Sequence, residues 1–290
     1  MNGLRRINLE QAINVRDLGG YPTPDGCTPY GRFIRADNMV GLTEADLETL
    51  YQAGVRTVID LRTPGERERQ PGSFENWRDV RVVPCSLLGE SLDSFTGFMR
   101  SLGENYSEMI VRDRDHYRDL FEIILSENQR GGILFHCTAG KDRTGVTAAL
   151  LLGLAGCEDA DIVADYALTD IYLRPKVKLF LQHNPNADPA LFRAPMESMD
   201  RFTAFVREEF GSARGYLKSL GFSDKDLDQV WNCLLYTSAS DAPPQGGAAA
   251  GKPPHRKIPC TRSGMPGIFY LFTAAVPGVT SARRSHGLPL

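Results

Sequence analysis

A chain of 290 residues, 42% hydrophobic and 24% charged, has the composition of an ordinary globular protein with room for one large domain or two small ones. Its formal charge of −3 hides an asymmetry: residues 233–290 carry a net +5, so residues 1–232 carry −8, which argues against nucleic acid as the main partner. Six scattered cysteines without a Cys-x-x-Cys pair argue against zinc and point to a reducing, cytoplasmic setting; no secretory leader is apparent and no apolar run is long enough for stable membrane insertion.

In chain order, Asn14-Val15-Arg16-Asp17-Leu18-Gly19-Gly20-Tyr21 comes first, and its glycine pair marks a tight backbone passage. Arg32–Arg35 reads as a short strand. Thr43 with Asp46 forms a capping box for a helix through Ala53, which Gly54 stops. Val55–Ile59 is then a buried strand leading into Asp60-Leu61-Arg62. This alternation predicts an α/β domain, whose ligand crevice is lined by polar residues at strand C-terminal ends. Val80–Val83 is a further strand, and Cys85 to Gly103 reads as a loop. Tyr117, Leu120, Phe121 and Ile124 make a helical stripe, so Asp113–Asn128 is a core-facing helix.

Gly132–Phe135 is a strand that feeds His136-Cys137-Thr138-Ala139-Gly140-Lys141-Asp142-Arg143-Thr144-Gly145. A helix from Thr144 to Ala155 follows, apolar nearly all round and therefore central. A loop closing onto a helix start aims unpaired N–H groups and the positive end of the helix dipole at one spot, where an anion fits. Arg143 can fork onto two phosphate oxygens, and the same field favours a thiolate at Cys137. Thr144 is placed to bond the sulfur, and His136 to orient the loop.

Beyond the loop, Asp159 caps a helix over Ala160–Leu173 that Pro175 interrupts. Met199, Phe202, Val206 and Phe210 share one face of a helix over Met196–Phe210. Such a stripe suits either a core or the underside of a lid. Ser223 with Asp226 caps a last helix through about Trp231. Residues 233–290 form a low-complexity basic tail, read as disordered or non-native. Its start, Cys233 to Ser238, resembles one reading frame of a transposon-end sequencing adaptor.

The run 136–145 resembles the signature loop of the cysteine-dependent protein tyrosine phosphatase superfamily. Its Ala-Gly-Lys-Asp-Arg-Thr-Gly is most similar to the bacterial tyrosine phosphatase family that includes lipid phosphatases. The resemblance is sharp at 136–145, moderate at 14–20 and 60–66, and covers most of residues 1–232. It implies a central, mostly parallel sheet flanked by helices, with a helical lid insertion near Met196–Phe210. It implies a phosphomonoester hydrolase that needs neither metal nor cofactor. Cys137 would form a cysteinyl-phosphate, and Arg143, Thr138, Ala139, Gly140, Lys141 and Thr144 would hold the phosphate. Arg62 would help hold the substrate, with Glu66 holding Arg62, and Asp60 and His136 in support; a plain loop ion pair is the alternative. The Trp-Pro-Asp general acid of the wider superfamily is missing. Asp142 takes that place, with Asp93 in reserve. Phosphotyrosine in proteins is the default substrate. A phosphoinositide is the alternative, because Lys141 adds a second cation, and a phosphate-binding module without turnover is a third reading.

Overall fold

Strands with apolar side chains on both faces set the architecture, because a sheet of this kind must be covered on each side. In the computed structural model, which describes residues 5–87 and 102–234, they are β1 (Arg16–Asp17), β4 (Phe33–Ala36), β5 (Val55–Asp60), β6 (Arg81–Pro84) and β7 (Gly132–His136). A separate hairpin pairs β2 (Pro22–Thr23) with β3 (Gly26–Cys27). The sheet runs β1-β4-β7-β5-β6, with β1 antiparallel to β4 and the other pairs parallel. This is the mostly parallel α/β sheet that the sequence leads one to expect. Its register sets Ala36, His136, Asp60 and Pro84 in one row, so four strands release the chain at the same edge. Loops from that row meet in one crevice.

Alternation sends Phe33, Ile59, Ile133 and Phe135 into one core and Ile34, Val58 and Leu134 into another. The smaller core is closed by α1 (Glu44–Gln52), started by the expected Thr43–Asp46 capping box. The short α2 (Pro64–Arg69) follows β5. The larger core is built with α3 (Leu102–Arg112), α4 (Arg114–Glu127), α5 (Asp142–Ala155), α6 (Asp159–His183), α7 (Met196–Phe210), α8 (Ala213–Ser219) and α9 (Asp224–Cys233). Nearly every residue of α5 is buried, which makes it the central helix of that layer. No helix among the described residues is long and apolar enough to cross a membrane.

Four expectations need correction. The helix beginning at Asp159 does not stop before Pro175 but continues through it to His183. A proline removes only its own N–H bond, and Ile171, the residue whose carbonyl is freed, is exposed to water. The lid expected near Met196–Phe210 is core instead: Met199, Phe202 and Val206 are buried, and α7 packs on α3 and α6. What stands clear of the core is the second half of α6 with a 3-10 turn over Pro189–Phe192, where Leu179, Phe180 and Leu191 are exposed. Leu102 and Gly103, read as loop, begin α3. Finally, α9 runs past residue 232, burying Cys233 and Leu234, which were assigned to the tail. Asp93 and residues 235–290 lie outside the described residues.

Candidate active site

Strand β7 ends at His136 and α5 begins at Asp142, so Cys137 to Lys141 must turn tightly between them. Gly140 has φ +66°, and a Cβ there would meet the Ala36 carbonyl oxygen at 2.5 Å, so no side chain fits. The loop's carbonyls are tied to the protein behind it. Asn38 N–H donates to Thr138 O (3.1 Å), Asn14 Nδ2 to Ala139 O (3.0 Å) and Arg35 Nη2 to Gly140 O (2.7 Å). In a planar trans peptide the next N–H points the opposite way, so the amides of Ala139, Gly140 and Lys141 face away from these donors, into the crevice. This is a nest for an anion, with the start of α5 adding its dipole.

The Asn14–Tyr21 stretch is that backing. Asn14 also accepts from Arg16 Nη1 (2.6 Å), and its own N–H donates to Asp37 (3.0 Å). Asp165 of α6 joins the group by accepting from Arg16, Arg35 and the Tyr21 hydroxyl. Burial opposes the charge on Asp165, but the two guanidiniums outweigh it and hold the carboxyl well below the usual range. A buried carboxylate shared by two arginines thus fixes Arg35, which in turn fixes Gly140.

Cys137 lies buried at the base of the loop. Arg143, in the first turn of α5, is gripped by Glu66: Nη1 donates to Oε2 (2.7 Å) and Nη2 to Oε1 (2.9 Å). Nη1 also donates to Leu61 O (3.2 Å). Of the five guanidinium donors, Nε–H and one Nη2–H have no acceptor among the described residues, leaving a fork for two oxygens. Glu66 Oε1 also accepts from Thr138 Oγ1 (2.6 Å). Partial burial works against the Glu66 charge, yet Arg143 and Thr138 hold it far below the ordinary value.

The expected pairing of Glu66 with Arg62 is therefore wrong. Thr63 and Glu66 form a capping box at the start of α2, which aims Glu66 at the loop. Arg62 is buried on the other side, where it donates to Asp60 (Nη2–Oδ2, 2.6 Å), Asn38 Oδ1 (2.9 Å) and Gln70 O (2.8 Å). With four of its five donors taken up, the buried Arg62 braces the crevice wall. His136 Nδ1 donates to Cys137 O (3.1 Å), while Nε2 lies 3.7 Å from Asp60 Oδ2. Burial lowers the pKa of this imidazole and keeps it neutral.

Lys141 is not presented to an incoming phosphate. It is buried, donates to Leu191 O (2.7 Å) and lies 3.5 Å from Asp142 Oδ1, tying the 189–192 turn to the loop. Thr144 Oγ1 is buried without a hydrogen-bond partner, so its expected bond to the sulfur is not formed. Asp142 keeps its side chain 21% exposed and accepts from the Tyr106 hydroxyl at Oδ1 (2.7 Å), and Tyr106 in turn contacts the Tyr166 hydroxyl (2.7 Å). Sequence reasoning gave neither tyrosine a role, since nothing in α3 or α6 marks an apolar-face tyrosine as facing the loop.

A family profile described as "Tyrosine phosphatase family" matches residues 7–236. A tyrosine-protein phosphatase of Nostoc commune is 35% identical over 222 residues, spanning 70% of this chain and 74% of that one. The triple specificity protein phosphatase PtpB of Mycobacterium tuberculosis is 28% identical over 275 residues, spanning 78% of this chain and 98% of that one. Among solved structures, that of P. aeruginosa TpbA is similar at 14% identity and a TM-score of 0.38, covering 72% of this chain and 92% of that one.

Proposed function

This chain belongs to the tyrosine phosphatase family, and on that premise we propose that it hydrolyses phosphotyrosine in proteins, with Cys137 as the nucleophile. The observation that carries the reading is the Arg143 fork, locked by Glu66 above a loop whose carbonyls are all drawn back. The Cys137 thiolate attacks phosphorus in line, forming the S–P bond as the P–O bond to the tyrosine breaks. The two open Arg143 donors and the loop amides hold the equatorial oxygens as charge builds on them. Asp142 gives its proton to the leaving phenolic oxygen. Its carboxylate then takes a proton from the water that hydrolyses the cysteinyl-phosphate, which restores the thiolate. Loop and arginine supply the positive charge, so the reaction as written calls for no cofactor. Asp142 stands as the acid because it sits in the loop with one carboxylate oxygen unclaimed among the described residues.

A phosphoinositide substrate loses its main support, because the second cation that argued for it, Lys141, is spent on Leu191 and Asp142. A thiolate nucleophile calls for a reducing compartment, which favours the cytoplasm. The test is phosphate release by the full chain from a phosphotyrosine peptide and from a phosphoinositide, each beside Cys137→Ser. The expected result is release from the peptide, reduced about 10⁴-fold or more by the serine. Retained peptide binding without release by the unaltered chain would instead mean a phosphate-recognition module.

A further inference from the structure

We infer that Tyr106 is a positioning residue for proton transfer: its hydroxyl fixes which oxygen of Asp142 carries the acid proton, and Tyr166 fixes the hydroxyl of Tyr106. The inference rests on the reading of Asp142 as the acid. Asp142 Oδ1 faces two donors, the Tyr106 hydroxyl at 2.7 Å and the Lys141 ammonium at 3.5 Å. A proton on Oδ1 would face the Lys141 ammonium, which can only donate, and would force the Tyr106 hydroxyl to accept. The acid proton therefore belongs on Oδ2, which has no partner among the described residues and is free to face the leaving oxygen.

The direction of the chain follows from counting protons. Tyr106 has one hydroxyl proton, and giving it to Asp142 leaves its lone pairs to accept from Tyr166 at 2.7 Å. The reverse order, Asp142 to Tyr106 to Tyr166, would leave the Tyr166 proton without an acceptor, since Tyr106 is its one hydrogen-bond partner among the described residues. Burial, followed by the Asp142 charge, pushes the Tyr106 phenol well above its ordinary value, so it stays a donor and does not supply the reacting proton itself. Both phenols are fully buried, and their rings are set edge to face at 5.9 Å. Phe202 meets the Tyr106 ring at 6.4 Å. Gly145 completes the arrangement from the loop side, because a Cβ there would lie 3.1 Å from the Tyr166 ring. Three helices, α3, α5 and α6, thus aim one hydroxyl at one carboxylate oxygen. Rigid packing of this kind is what holds a reacting group in productive geometry.

The experiment compares two substrates with the full chain: p-nitrophenyl phosphate, whose leaving group departs readily as an anion, and phenyl phosphate, whose leaving group needs the proton. Tyr106→Phe is expected to lower kcat/KM on phenyl phosphate about tenfold, a parameter that reports P–O cleavage and not the later hydrolysis of the cysteinyl-phosphate. On p-nitrophenyl phosphate kcat/KM should stay near that of the parent, whatever happens to kcat. Asp142→Asn should show the same selectivity more strongly, with no further loss in the double variant. Tyr166→Phe should show it more weakly. If Tyr106→Phe slows both substrates equally, or neither, while Asp142→Asn remains selective, the positioning role is wrong. If Asp142→Asn itself shows no selectivity, the acid reading fails instead. Thermal melting accompanies each variant, and should Tyr106→Phe not fold, the same comparison on Tyr166→Phe decides.

Discussion

Arg62 and Glu66 lie four positions apart, yet they belong to different parts of the molecule. Glu66 touches Arg143 and Thr138, whereas Arg62 is enclosed by Asp60, Asn38 and Gln70. Glu66→Gln is therefore expected to lower kcat/KM about 10- to 100-fold, the worth of hydrogen bonds to a charged group, and to lower the urea midpoint as well, since its ion pair with Arg143 is lost. Arg62→Ala should act on stability alone. It leaves Asp60 buried and unpaired at about 3–5 kcal/mol of stability, while the folded fraction keeps near-parent kinetics. Paired kinetics and urea titrations on the two variants check both outcomes. The residues were legible in the sequence, but their directions were not. The missed signal was Thr63-x-x-Glu66, a capping spacing of the kind that located α1 and α9. In the loop itself, sequence placed Cys137 after the strand, Gly140 in the turn and Arg143 in the first turn of the helix, as the structure has them, because that frame leaves those side chains few places to go. It failed for Lys141 and Thr144, whose surroundings come from Leu191 and from packing.

At the scale of elements, α6 joins distant parts of the chain. Its first half carries Asp165, which closes the group of Arg16, Arg35 and Tyr21 behind the loop. Asp165→Asn breaks a buried pair with two guanidiniums and should cost about 3–5 kcal/mol. For a domain of this size that is a fall in melting temperature of more than about 6 °C; an unchanged transition would mean that the arginines find other partners. Activity should fall as well, since Arg35 holds Gly140. Caps and periodicity located α1, α4, α5, α7 and α9, because each has a stripe or a stop signal of its own. The length of α6 was hidden by Pro175, a local rule outweighed where the freed carbonyl can meet water. The Met199–Phe202–Val206 stripe shows the other limit: apolar spacing tells that a face is covered, not what covers it.

For the molecule as a whole, the shifted carboxyls give stability a two-part dependence on pH. Asp165 and Glu66 titrate below their ordinary 3.8 and 4.5, so their contribution is fully present above those values and is lost as pH falls beneath them. Asp17 behaves in the reverse sense. Burial outweighs its bonds from the Gly31 and Gly19 amides and raises it from 3.8 to about 6, so its contribution is present below 3.8 and lost as pH rises through about 6. Between pH 7 and 4 the Asp17 gain is opposed by buried His136, whose lowered pKa takes stability away as pH falls below 6.5, and below about pH 4 the loss from Asp165 and Glu66 dominates. The urea midpoint of the parent relative to Asp17→Asn should therefore rise as pH falls from 7 to 4, and a difference that does not change over that range would contradict the raised Asp17.

The Glu66 grip on Arg143 also has a thermodynamic consequence. An arginine on a mobile surface must give up its rotamers when it meets an anion, and that loss weakens binding. Here the side chain is ordered when the chain folds, and the two open donors wait in a fixed plane. Capture of the phosphoryl group is then a docking of rigid bodies with little left to organise. Its calorimetric signature in a Cys137→Ser chain is a favourable enthalpy that only a small ordering entropy offsets.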